Sequence, residues 1–152
     1  MEKKYELTDE TIEVNDHTLH RIRALRNFGN VKAGDLGGFI EKEDNLSHDG
    51  NCWVAGADSP FDSGYVSGNA KVSGDARVYG NAQVCGDAQV CENANVSGNA
   101  KVYGHARVSG NAKVYGDAEV YGFAKVFGDA KVYEFANVSG KAEVFGDAKI
   151  LR

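Results

Sequence analysis

The sequence predicts an all-β solenoid, on three observations. From Val66 a valine or isoleucine returns at every sixth residue, through Val72, Val78, Val84, Val90, Val96, Val102, Val108, Val114, Val120, Val126, Val132, Val138 and Val144 to Ile150. Two residues before nearly every one stands a small residue, from Ala70 before Val72 to Ala148 before Ile150. Most units close on Gly-Asn or Gly-Asp, so the repeat reads Ala-x-Val-y-Gly-Asn/Asp. A fixed short period marks a stack of units in which each buries its apolar side only against its neighbours.

Within the unit, Ala and Val lie two apart and share one face of an extended strand, while x and y point the other way. The Gly-Asn or Gly-Asp that follows accepts positive φ and turns the chain. Each hexad is thus a short strand plus a corner, and the period is wrong for an amphipathic helix. The core is a narrow stack of Val and Ala.

Residues 1–35 do not follow the hexad and are read as a separate N-terminal β cap, with the repeat domain over 36–152. Thr11–Val14 and Thr18–Ala24 flank Asn15-Asp16 and predict a hairpin. Its purpose is to cover the unpaired edge and Val core of the first coil. The hexads begin irregularly near Ile40, pass Leu46, take two extra residues at Ser47–Asp49 and resume at Val54; Pro60 marks a further irregularity.

An aliphatic residue followed four positions later by a small one, as in Val78 with Ala82 and Val114 with Ala118, resembles the hexapeptide-repeat proteins. The resemblance implies a left-handed parallel β-helix of triangular cross-section, three hexads per coil and about six coils here. The stretch from Asn27 to Ile40, followed by Asn45 to Val54, is similar to the N-terminal signature of YdcK-type members, which occur in bacteria and often in phage or prophage genomes. Together with the repeats, the similarity covers roughly 27–150. Members are often labelled transferases on the strength of the fold, and a fold does not supply a function.

Composition narrows the classes. The 152 residues carry a net charge of −5, and the acid lies early: residues 1–64 hold seven Lys/Arg against thirteen Asp/Glu, and 65–152 ten against nine. The start, Met-Glu-Lys-Lys-Tyr-Glu, lacks an apolar leader core and no segment reads as a membrane span, so a cytoplasmic protein without membrane contact is expected. Three cysteines without Cys-x-x-Cys argue against a disulfide framework or a zinc site. Cys85 and Cys91, one hexad apart, fall on different faces; Cys52 takes the place of a repeat alanine and is expected inside as a small apolar filler.

Residues eighteen apart stack in columns. One face carries Arg77, Asn95, Lys113, Lys131 and Lys149 beside Tyr79, Ser97, Tyr115, Tyr133 and Leu151. Stacked lysines about 4.8 Å apart repel by about 1 kcal/mol per pair in water. An anionic or protein partner on Arg77, Lys113, Lys131, Lys149, Tyr115 and Tyr133 relieves that repulsion. Solvated lysine stems that splay apart over apolar surface do so too and are the preferred reading of this column, and nucleic acid is not expected as the partner. The y position is small early and aromatic late. Tyr103, Tyr121, Phe127, Tyr133, Phe145 and Leu151 therefore form a candidate interface for homo-oligomerisation through the C-terminal half. The alternative is that these rings merely stack on the next coil. The chain stops inside a hexad at Ile150-Leu151-Arg152, and the open edge expected there favours association.

For catalysis, the resemblance implies an acyl-coenzyme A thioester and a histidine base. Only His105 lies in the regular repeats, at a corner between Asp87 and Phe123, and no long loop interrupts Val66 to Ile150. His17, His20 and His48 lie in or beside the cap without catalytic or metal-ligand spacing. The repeat region contains no Thr, which excludes the flat Thr columns of ice-binding solenoids. The reading is a non-catalytic, self-associating β-helix acting as a binding or scaffold protein, with no cofactor. The alternatives are an acetyl-coenzyme A-dependent acyltransferase with His105 as base, and a phage accessory protein that binds and inhibits a host factor or sequesters a ligand.

Overall fold

The computed structural model describes residues 3–14, 17–55 and 64–150. It is all-β apart from one 3-10 turn at Glu43–Asn45. The repeats form the expected parallel solenoid. Trp53–Val54, Lys71–Val72, Gln89–Val90, Arg107–Val108, Lys125–Val126 and Glu143–Val144 make a six-stranded sheet, the Trp53 face. Arg77–Val78, Asn95–Val96, Lys113–Val114, Lys131–Val132 and Lys149–Ile150 make a five-stranded lysine face. Tyr65–Val66, Gln83–Val84, Lys101–Val102, Glu119–Val120 and Asn137–Val138 make a third, the Tyr65 face. The chain visits the three in rotation, and pairing is in register, Val78 on Val96 and Val96 on Val114.

The alternation places the side chains as the hexad requires. Ala70 through Ala136 and Val66 through Val138, at hexad spacing, are buried. A fully buried valine contributes about 1.5–3 kcal/mol, so the stack is held by many similar small increments. Backbone bonds run from coil to coil, as in Ser109 N–H to Val126 O at 2.9 Å.

The corners show why glycine recurs. In Tyr103–Gly104–His105–Ala106 the Ala106 N–H donates to Tyr103 O at 3.4 Å, and Gly104 has φ of +69°. Positive φ at the first central residue alone marks a II′ turn. Two corners depart from the rule: Glu92 and Glu134 hold φ of 58°. A side chain in that region costs about 1–2 kcal/mol. Glu134→Gly is therefore expected to raise stability by about 1 kcal/mol, read as a higher urea midpoint. Glu92→Gly should gain less, because the Glu92 carboxylate accepts the Gly110 N–H at 3.1 Å.

The solenoid has about 5 turns rather than the six expected. The difference lies at Ile40, which belongs to the N-terminal sheet and not to a first hexad. There β1 (Tyr5–Val14), β2 (His17–Ala24) and β3 (Leu36–Ile40) pair antiparallel in that order. The strands of the expected hairpin do pair, Val14 against His17, while Asn15-Asp16 and Pro60 lie outside the described residues. The third strand was not expected, and it pairs His20 with Ile40. The first solenoid contact is Leu46 with Val66, a spacing that absorbs the two extra residues at Ser47–Asp49.

The junction is aromatic and hydrogen-bonded. Tyr5 is fully buried, stacked on His48 with centroids 4.2 Å apart, and its hydroxyl shares its proton between Leu46 O at 2.6 Å and Glu43 O at 2.9 Å. His48 Nδ1 accepts the Lys4 N–H at 3.1 Å, so its Nε2 carries the proton that meets Glu43 Oε1 at 2.8 Å. That bond, foremost, holds the Glu43 carboxyl below its usual range. Asn45, also buried, donates to Gly64 O at 2.9 Å.

Candidate functional site

The II′ corner places His105 by its backbone, whose N–H donates to Gly122 O of the next coil at 2.7 Å. Residues eighteen apart then meet on the outside. His105 Nδ1 lies 3.4 Å from Asp87 Oδ2, and the ring stacks on Phe123 with centroids 4.9 Å apart. Both partners of the His105–Asp87 pair are about half exposed, where such a pair contributes roughly 0–1 kcal/mol. Beside it an open cleft of about 480 Å³ is lined by His105, Arg107, Phe123, Lys125, Lys141 and Glu143. Three cations against one carboxylate suit an anionic group. The Asp87–His105 geometry can orient an imidazole.

The residues of the lysine face stand in one ladder, Arg77 on Asn95 on Lys113 on Lys131 on Lys149. Tyr115 and Tyr133 stack beside it at 5.1 Å and 5° between planes. The other aromatic y positions pair in the same way, Tyr103 with Tyr121 at 5.0 Å and Phe127 with Phe145 at 5.3 Å. Leu151 lies outside the described residues. These candidates do not converge: Tyr103 and Tyr121 close the Tyr65 face, Phe127 and Phe145 the Trp53 face, and Tyr115 and Tyr133 the lysine face.

Two exposed rings were not anticipated as apolar surface, Phe135 at all and Phe123 beyond its place next to His105. Phe123 is 58% and Phe135 65% exposed, each at a corner position where most hexads carry Asn or Asp. That break in the corner pattern was the available signal. A second cleft, about 390 Å³, was not anticipated either, because it joins the cap loop at Asn30 and Val31 to Asn51, Trp53, Lys71 and Gln89 of the solenoid. Among the described residues no group of three or more His, Cys, Asp or Glu gathers as a metal site, and no helix is long and apolar enough to cross a membrane.

The repeat geometry has a counterpart among known proteins. The family described as YdcK Beta solenoid repeat matches residues 70–86 and 100–116. These two segments are similar to YdcK-type β-solenoid repeats. The chain is also 37% identical over 57 residues to the protein named Uncharacterized acetyltransferase YdcK of Escherichia coli (strain K12). That match covers 37% of this chain and 18% of the relative, so the chain spans under a fifth of the YdcK protein it resembles. The second matched segment, 100–116, contains His105, Tyr103, Lys113 and Tyr115.

Proposed function

We propose that this protein is a non-catalytic, self-associating β-solenoid that acts as a binding or scaffold module through the aromatic edges of its C-terminal half. One observation carries the reading. Early and late coils share the same backbone ladder, Ser67 N–H to Val84 O at 3.0 Å and Tyr121 N–H to Val138 O at 2.9 Å. The early y positions include Ser67, Ser73, Cys85 and Cys91, and the late ones Tyr121, Phe127, Tyr133 and Phe145. Coil stacking therefore does not require the rings. Phe145 is 56% exposed in addition to Phe123 and Phe135, apolar area spread over separate edges of the rod, part of which a second copy would cover.

Light scattering on the purified protein is expected to show a dimer or larger species. Phe127→Ser, Tyr133→Ser and Phe145→Ser together should weaken association by at least about 30-fold, since an interface aromatic can contribute about 2 kcal/mol or more. A parent protein that is monomeric at high micromolar concentration would falsify the proposal. The lysine face is the candidate for an anionic or protein partner, and contacts there should weaken as salt rises.

The cleft at His105 favours a second reading, acyl transfer from acetyl-coenzyme A with His105 as general base, in line with the printed name of the relative. Calorimetry separates the two. The first reading expects no heat with acetyl-coenzyme A. Micromolar binding, with turnover lost in His105→Ala, would establish the second.

A further inference from the structure

Lys4 immediately precedes β1 and is the one fully buried charged side chain among the described residues. Its Nζ donates to Cys52 O at 2.7 Å and Gly50 O at 3.3 Å, and lies 3.2 Å from Cys52 Sγ. The Phe28 ring sits 4.9 Å from the amine. The two carbonyls explain why a lysine is tolerated here: it ties the cap to the first corner of the solenoid. They do not explain the thiol. Cys52 occupies the inward position that from Ala70 to Ala136 is a buried alanine at every hexad. The expectation of an apolar filler is thus half right, since Cys52 is fully buried but its sulfur has polar neighbours, including Ser47 O at 3.4 Å. Burial pushes the lysine pKa down and the thiol pKa up, both toward a neutral amine beside a neutral thiol.

We propose that Lys4 Nζ and Cys52 Sγ are the two ends of an oxidatively formed N–O–S bridge, a covalent latch between the N-terminal sheet and the first coil. Hydrogen peroxide is the oxidant. The S–H bond and one N–H bond break, and an S–O and an O–N bond form around one peroxide oxygen. Sulfur and nitrogen each lose two electrons, two peroxide molecules accept the four, and three waters leave. Two equivalents of a dithiol reverse the step, returning the amine, the thiol and one water. The bridge joins positions 48 residues apart and so removes conformational freedom from the unfolded chain.

The test uses the full chain with Cys85→Ser and Cys91→Ser, so that Cys52 is its only thiol. After peroxide treatment, intact mass should show a species with one oxygen more and two hydrogens fewer. Peptide mapping should join Lys4 to the peptide containing Cys52, and dithiol should undo the link. The melting temperature should rise by about 5–10 °C. Lys4→Arg keeps donors for the carbonyls and Cys52→Ala restores the repeat residue, and neither should give the linked species. The proposal is overturned if Cys52 stays a thiol, if it goes on to sulfinic acid with Lys4 free, or if the linked species is a direct S–N bond lacking the oxygen.

Discussion

Val108→Asp is expected to cost about 4–5 kcal/mol or more, enough to unfold much of the chain at neutral pH. Val108 is fully buried and pairs with Val90 on one side and Val126 on the other. The neighbouring backbone donors are already engaged, with Cys91 N–H on Val108 O and Ser109 N–H on Val126 O, each at 2.9 Å. A carboxylate there loses the valine's transfer energy and has no ready donor. Its pKa in the folded state is raised above the unfolded value, so the defect should be largest above that folded value and shrink as acid protonates the group. Urea midpoints at pH 7 and pH 4 measure both effects. Arg107→Asp, on the exposed side of the same strand, should change stability by less than about 0.5 kcal/mol. A Val108→Asp protein with the parental midpoint would contradict the inward assignment.

The second large effect runs against the repeat. Gly64 stands where other hexads carry alanine, so restoring alanine looks neutral or mildly stabilising. The structure reverses the sign. A Cβ at residue 64 would lie 2.5 Å from Val78 Cγ1 and 2.7 Å from Val78 O. The Asn45 side chain grips Gly64 O at 2.9 Å and resists the shift that would make room. Gly64→Ala should therefore lose about 1–3 kcal/mol through overpacking. An unchanged or raised urea midpoint would show that this coil yields more readily than its geometry implies.

The contrast between Val108 and Gly64 shows where sequence reasoning reaches. Val108 was legible because a two-residue alternation inside a six-residue period leaves one consistent way to point the side chains. Lys113 over Lys131 and Tyr115 over Tyr133 followed from the same arithmetic, as did His105 between Asp87 and Phe123. Gly64 was not legible, since its crowding depends on how Asn45 and Val78 meet across an irregular coil. Ile40 looked like the first hexad residue by spacing, yet pairing with His20 outweighed phase. Lys4 gave no signal, because a lysine near a chain start reads as solvated until a fold brings the Gly50 and Cys52 carbonyls to it. Phe135 was visible as a break in the Asn/Asp corners, but a column argument centred on the y position passes over it and takes Phe123 only as the neighbour of His105.

Register along the stack has a consequence for how such a chain can change length. Lys113 meets Lys131 because one circuit returns to the same sheet. Loss or duplication of a whole circuit would shorten or lengthen the rod and leave every later side chain on its original side. Loss of a single hexad would also keep valine inside and the corners closed, so folding would hardly object. It would nevertheless turn everything downstream by one side of the rod, carrying Lys131 and Tyr133 off the lysine face. The apolar interior is blind to that difference, and only what the outside must touch can select between the two kinds of length change.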